Sequence, residues 1–508
     1  MNRRDMFRGV GGGLMAAGLA GRAPAKAATR GGGPNIYEKI GVRPLINCKG
    51  TFTIISGSLT LPEVKEAMDE ASRHYVHLDE LMDAVGQRLA ELTKAEWGII
   101  TAGCAAAATH ATAACIAGNN PEKMQRLPTD LAGLKDEVVM PRQSRNVYDH
   151  AIRMLGVKMI TPETREQFLT SFGPKTAMLA ILGEALDHHP MQLEEMVQVA
   201  HQHGVPVFVD AAAERLTIPN VYLGKGVDMV AYSGGKCLRG PQCAGLLLGK
   251  KDLLQAAWSN SAPHHAFGRS LKVGKEEIMG MLAAVDMWTK RDHDAEWKQW
   301  ERWLATFQEK LASLPGVTTQ VHQPRGPSNY APTLRISWDP EKLGANATEV
   351  QDALLAGNPR VILSGYGNAL SIMPYMMMPG DDKIASERLY EVLKNPPRHE
   401  KPAVTPSNAA LTGQWDVQID FIRGEANHSL WLEEKNGKVV GQHRGEFLSG
   451  DVRGTREGNR VSLRSVHRYQ GTALTYHFEG TLGENTMSGT VDLGEYGKTR
   501  FEAKQHWV

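Results

Sequence analysis

Val205-Pro206-Val207-Phe208-Val209-Asp210 and Val227-Asp228-Met229-Val230-Ala231-Tyr232-Ser233-Gly234-Gly235-Lys236 decide how this 508-residue chain is read. Each opens on a short apolar run, the pattern of a strand covered on both faces of a parallel sheet. One run ends in a carboxylate. The other ends in a serine, two glycines and a lysine. Two buried strands therefore deliver an acid and a lysine to one rim of a sheet. The carboxyl rim is where open α/β sheets bind ligands.

Upstream, residues 97–101 read as a strand that runs into Thr101-Ala102-Gly103-Cys104-Ala105-Ala106-Ala107. Small residues turn there into an alanine-rich helix over 105–117. A helix N-terminus offers free N–H groups and partial positive charge to a dianion, so Gly103, Cys104 and Ala105 are candidates to hold a phosphate. Alone this signal is weak; its order ahead of Asp210 and Lys236 gives it weight. Further short strands over 138–140, 157–160, 177–182 and 246–248 alternate with helices over 147–155 and 192–203. The pattern predicts an α/β unit with a mostly parallel sheet covered on both faces.

A lysine and a carboxylate on one rim suit pyridoxal 5'-phosphate (PLP). Lys236 would form the Schiff base, and Asp210 would keep the pyridine nitrogen protonated so that the ring accepts electrons. Gly234 and Gly235 allow close backbone approach, and the Ser233 hydroxyl suits a phosphate oxygen. Taken alone, Ser-Gly-Gly-Lys reads more readily as a surface lysine in a glycine turn; Asp210 on a preceding strand and the phosphate loop upstream reverse that. The loop after residue 140 holds Arg142, Arg145, Tyr148 and His150. His150 is favoured over Tyr148 to stack on the pyridine, against the competing reading that it packs in the next helix. Arg142 and Arg145 are candidates for a carboxylate or phosphate, against the competing reading of ordinary surface charges.

The whole chain bounds these readings. Hydrophobic content is 42% and charged content 22%, as in ordinary globular proteins, and the net charge of +1 marks no nucleic-acid surface. Arg3-Arg4 ahead of a weakly apolar, Gly-rich stretch, with Ala25-Lys26-Ala27 as a cleavage site, predicts a twin-arginine export signal over 1–28 and a periplasmic protein. That stretch is too short to span a bilayer, so no membrane association is expected once it is removed. Five cysteines form no metal-ligand pattern, and buried free thiols are expected.

Residues 29–290 are assigned to an N-terminal arm and the large PLP-binding domain. Residues 291–395 read as a small α+β subdomain, with a strand over 333–337 and helices over 347–355 and 383–393. Arg335 lies on that strand and is a candidate for the substrate carboxylate, with a structural ion pair as the competing reading. Residues 396–410 are a Pro-rich linker. From 411 to 508 the pattern changes to short alternating strands: Trp415, Val417, Ile419 and Phe421, then Leu474, Tyr476 and Phe478. An all-β barrel or sandwich of about eight strands is predicted.

At this point a family resemblance emerges. Residues 36–395 resemble the selenocysteine synthase-like branch of fold-type-I PLP enzymes, which includes seryl-tRNA selenium transferase and ammonia-lyases of amino-sugar acids. Asn47-Cys48-Lys49-Gly50-Thr51 is similar to its Asn-x-x-Gly-Thr segment. Gly103 to Ala106 resembles its phosphate loop and Asp210 its pyridinium partner. Ser233 to Lys236, followed by Gly240-Pro241-Gln242-Cys243-Ala244-Gly245, resembles its lysine signature. Arg269 to Lys275 resembles its basic segment that reaches the active site. The resemblance implies substrate contacts from Asn47 and Arg269 and at least a homodimer. The chain departs from the transferase in its export signal and its β module, so the tRNA reaction is not carried over. The expectation is an exported PLP-dependent lyase, or related Cα chemistry, on a small amino acid or amino-sugar acid. The alternatives are selenium or sulfur transfer, and a non-catalytic binding protein on a PLP scaffold.

Overall fold

The computed structural model describes residues 35–397 and 404–506. The twin-arginine segment and the middle of the proline-rich linker lie outside the described residues.

The large unit is built on seven strands: β1 (Trp97–Thr101), β2 (Glu137–Val139), β3 (Lys158–Ile160), β4 (Thr176–Leu182), β5 (Val207–Asp210), β6 (Met229–Ser233) and β7 (Gly245–Gly249). Their spatial order is β1-β7-β6-β5-β4-β2-β3. Neighbours from β6 through β3 pair in parallel. β7 runs antiparallel to both β6 and β1. The carboxyl ends of the other six strands therefore share one edge, as the apolar runs imply. Helix α1 (Cys104–Ala117) is alanine-rich and apolar on every side, so it can lie against the sheet with almost every side chain buried; Ala105, in its first turn, is exposed.

A second core gathers Ile46, Cys48, Leu334, Ile336, Leu370 and Leu389. Here a four-stranded antiparallel sheet runs in the order Ser364–Tyr366, Ala369–Ile372, Thr333–Ser337, Thr318–His322. The outer two strands escape a sequence reading because short edge strands carry little apolar periodicity. Strand Leu45–Asn47 pairs in parallel with Arg360–Ile362, so the N-terminal arm is stitched to this smaller unit. Tyr375, Met376 and Met377 are buried, while Met378 is exposed.

The C-terminal unit is a closed antiparallel barrel: β8 (Gly413–Asp420), β9 (Glu425–Lys435), β10 (Lys438–Arg444), β11 (Ser449–Glu457), β12 (Arg460–Tyr469), β13 (Thr472–Leu482), β14 (Thr486–Asp492) and β15 (Lys498–Gln505). β15 closes on β8, and closure leaves no free edge. Trp415 is fully buried and donates from Nε1 to the Leu411 carbonyl at 2.9 Å. It fills the end of the barrel where the chain enters.

The barrel meets the large unit through its β12–β13 turn. Gln470 Oε1 accepts from Arg145 Nη2 at 2.6 Å, and the Arg153 guanidinium lies over the Tyr469 ring at 5.9 Å. Arg145 and Arg153 both bond the buried Asp149, at 2.5 and 2.8 Å. The helix read over 147–155 is shorter than expected: a 3-10 turn, Val147–Asp149, leads into His150–Arg153. All five cysteines are free. Cys243 is exposed, which corrects the expectation of burial at that position; it lies on the open turn of the lysine loop.

Candidate active site

Three loops meet at the carboxyl edge of the sheet, and the register shows how. Gly245 pairs with Thr101 on one side and with Ser233 on the other. The phosphate-loop candidate and the lysine loop therefore flank a single residue. A Cβ on Gly245 would lie 2.4 Å from the Gly103 carbonyl carbon. Gly103 itself has φ +91°, a conformation that favours glycine, and turns the chain into α1. No side chain caps that helix, so its first-turn amides stay open to a ligand, beside the exposed Ala105.

The lysine loop is held by its own backbone. Gly234 N donates to Ala244 O at 2.8 Å, and Gly240 N donates to Gly234 O at 2.9 Å. Any Cβ on Gly234 would meet the Pro241 and Ala244 carbonyls within 2.8 Å. From the N-terminal arm, Ser58 N donates to Gly235 O at 3.0 Å. Lys236 is half-buried. Ser233 makes no side-chain hydrogen bond among the described residues, which leaves its hydroxyl free.

Asp210 Oδ1 accepts from Ala212 N at 3.0 Å and from Cys104 Sγ at 3.4 Å. Both bonds use one oxygen; Oδ2 has no hydrogen-bond partner among the described residues. Burial pushes the Asp210 carboxyl up, partly offset by the Ala212 amide, the Cys104 thiol and the charge of Lys236. Burial, then the charge of Asp210, pushes the Cys104 thiol well up, so it stays protonated and donates. This carboxylate lacks one cationic or N–H partner. A pyridinium nitrogen is such a partner, and the open first turn of α1 suits a phosphate. The residues therefore fit PLP.

Asn47 lies in the arm, with its side chain engaged locally: Oδ1 accepts from Lys49 N and Gly50 N, and Nδ2 donates to Gly50 O. That turn presents Thr51, whose hydroxyl bonds Tyr375 Oη at 2.7 Å; Tyr375 Oη donates to Asn329 Oδ1 at 2.9 Å. His150, Arg142, Arg269 and Arg335 are exposed. Arg335 Nε reaches only Ser337 Oγ, at 3.3 Å. No hydrogen bond or ring contact among the described residues joins these four to Asp210 or Lys236.

Several residues near the site were not anticipated. A pocket of about 310 Å³ opens beside the lysine loop, lined by Arg215, Cys237, Arg291, Trp300, Tyr330 and Tyr375. Asp210 and Lys236 are not among its lining residues. Arg291 is committed, donating to Cys237 O and, through two nitrogens, to Glu296. Arg215 lies over the Tyr330 ring at 4.7 Å and has no ion pair among the described residues. Glu214 is buried and accepts from Tyr222 Oη at 2.5 Å. Burial, with Asp210 and Glu184 adding, pushes its carboxyl up to about 7. The signal for both was their place on the loop that leaves Asp210.

The family model described as aminotransferase class-V matches residues 80–335. The chain belongs to that family. It is thus a member of a family of PLP-dependent enzymes, with the type-I fold and an added eight-stranded barrel. This chain is 28% identical over 379 residues to D-glucosaminate-6-phosphate ammonia lyase of Salmonella typhimurium, covering 71% of this chain and 99% of the lyase. It is 28% identical over 374 residues to the 5'-C-glycyluridine monooxygenase-decarboxylase of a Streptomyces species, covering 70% and 92%. An L-seryl-tRNA(Sec) selenium transferase of Moorella thermoacetica is 24% identical, covering 66% and 83%. A solved structure of D-glucosaminate-6-phosphate ammonia-lyase superposes with a TM-score of 0.63 at 28% identity, covering 71% of this chain and 98% of that one. These names describe three different reactions on related scaffolds.

Proposed function

We propose that this chain is a PLP-dependent lyase that releases ammonia from a small amino acid or amino-sugar acid. The observation that carries the reading is Asp210: a half-buried carboxylate with one oxygen satisfied and the other free, on the same edge as Lys236 and the uncapped start of α1. The ammonia lyase matched over nearly its full length supports the reaction class.

When bound, PLP supplies an electron sink that makes a Cα proton acidic. Asp210 Oδ2 would face the ring nitrogen and keep it protonated. The first-turn amides of Gly103 to Ala105 and the Ser233 hydroxyl would hold the phosphate. Lys236 Nζ would hold the cofactor at rest, and its amine is the base that would accept a proton from the substrate Cα. Arg215, free of an ion pair, binds an anionic group of the substrate, and Tyr330 orients its guanidinium. Asn47 shapes the arm that carries Thr51 toward Tyr375. His150, Arg142, Arg269 and Arg335 remain proposed contacts to cofactor or substrate; Arg269 would act from a neighbouring subunit.

A homodimer is part of this proposal. Ile36, Ile40 and Ile54 on the N-terminal arm are 73%, 75% and 88% exposed, apolar surface that a second copy would cover. Export to the periplasm is proposed from the twin-arginine segment.

The test is a screen of amino acids and amino-sugar acids, with and without a phosphate, against the cofactor-loaded protein. Release of ammonia with an oxo acid, lost on Lys236→Ala, supports the proposal. No release from any of them, or turnover only with charged tRNA and selenophosphate, overturns it.

A further inference from the structure

The interior of a small barrel is normally filled by apolar side chains, and this one obeys that rule for only part of its length. Near the entry end the inward residues are Trp415, Val439, Val461 and Leu482. Toward the opposite end the inward positions change to His428, His443, Ser465 and His467, all at least nine-tenths buried. That is the end closed by the 421–424, 445–448, 470–471 and 493–497 turns.

These polar groups do not satisfy one another. His428 Nδ1 and His443 Nε2 share one hydrogen bond of 2.9 Å. The rings of His443 and His467 stand 4.3 Å apart. His443 Nδ1, His467 Nε2 and Ser465 Oγ are buried with no partner. Burial pushes His443 down to about 2 and lowers His428 and His467 as well, so the cluster is neutral. A buried polar atom without a partner is destabilising, because it has lost water and gained nothing in return. Three on one inward face call for a missing partner.

A cleft of about 510 Å³ opens at this same end, with Phe421, Leu474, Leu493 and Tyr496 as apolar walls and Arg423 and Lys498 at its rim. Tyr476 lines the cleft, and its ring also touches His428, His443 and His467 at 5.6, 4.8 and 4.8 Å. It is the partition between cleft and cluster. Among the described residues, no group of three or more His, Cys, Asp or Glu is placed to hold a metal ion.

We propose that this end of the barrel is a binding site for a small, uncharged aromatic or alicyclic alcohol, which enters hydroxyl first. The walls accept an apolar body of one or two rings, a size suited to such a cleft. A hydroxyl both donates and accepts, so it pairs with the unpartnered His467 Nε2 and His443 Nδ1 in either tautomer of each ring. A charged head would be buried among neutral rings at a cost no group there repays. Tyr476 swings to admit it. The site is separate from the PLP site and does not rest on the reading of the reaction.

Binding of a naphthol to the full-length protein, followed by its fluorescence, tests the proposal, with naphthalene as the control that lacks the hydroxyl. One saturable site per chain is expected. His467→Leu should weaken the naphthol about tenfold or more, and leave both naphthalene affinity and the absorbance of bound PLP unchanged. If that variant fails to fold, Leu474→Trp, at the half-buried wall, should abolish binding by filling the cleft. Non-saturable binding, equal affinity of naphthol and naphthalene, or full affinity in Leu474→Trp overturns the proposal.

Discussion

Gly245 sits so close to Gly103 that a methyl group on it would fall 2.4 Å from the Gly103 carbonyl carbon and 2.7 Å from the Cys104 amide nitrogen. The antiparallel strand β7 thus presses directly on the turn that begins α1. Gly245→Ala must push that turn outward and tilt the first-turn amides away from the phosphate. The expected result is a stability loss of about 1–3 kcal/mol and weaker retention of PLP, read by cofactor titration of the folded variant. Unchanged cofactor affinity would detach Gly103 and Cys104 from phosphate binding.

Lys236 and Asp210 should fail in different ways. Lys236→Ala is expected to lose the absorption band at about 420 nm of the lysine-bound cofactor, together with activity. Asp210→Asn should keep the band, because the lysine is intact, but lose turnover by about 100-fold or more, since a neutral amide does not hold the ring proton. Spectra and turnover measured on the same preparations distinguish the two. Full activity in Asp210→Asn would remove Oδ2 from its assigned role.

Glu214 ties stability to pH. Its carboxyl ordinarily titrates at 4.5 and is raised to about 7 in the fold. Below its ordinary value it is protonated in both folded and unfolded chains and contributes no difference. As pH rises toward 7 the unfolded chain ionises first, so the folded state loses up to about 3 kcal/mol of relative stability over that window. Glu214→Gln stays neutral throughout and still accepts from Tyr222. Its melting temperature should pull ahead of the parent as pH rises from about 5 to about 8. A difference that is constant with pH would show that Glu214 does not titrate in this range.

Asp149 bridges two arginines from complete burial, its side chain at 0% exposure and that of Arg145 at 8%. Asp149→Ala leaves both cations uncompensated, and a loss of about 3–5 kcal/mol is expected in chemical denaturation. It should also free Arg145 from its alignment on Gln470, so the barrel should become more accessible to limited proteolysis at its β12–β13 turn. A loss below about 1 kcal/mol, as for an exposed pair, would contradict this account.

The sheet was legible where hydrophobicity runs unbroken. β1 and the strand Thr333–Ser337 have the bounds their apolar patterns imply, and β5 and β6 end on Asp210 and Ser233 as read. Loop chemistry was legible only in part. Glu214, Arg215 and Tyr375 come together from segments distant in sequence, which no local pattern links. The Asn47 segment carried two meanings, because Asn followed by Gly three residues on is also the signature of a side chain that folds its own turn. Arg145, Asp149 and Arg153 stand at helical i, i+4 spacing, so this cluster was legible in the sequence. In the barrel, His428, His443 and His467 look like outward polar residues until the register places them inside.

The turn that joins the barrel to the large unit tolerates no side chain at Gly471. A Cβ on Gly471 would lie 2.0 Å from the Asn146 carbonyl oxygen. Because side chains alternate along a strand, a single-residue insertion in β12 ahead of His467 would turn that ring out of the interior and draw this turn off its seat in the same step. The two modules are therefore coupled in inheritance: a lineage that loosens the hairpin gives up its interior and its attachment together, and one that keeps either must keep both.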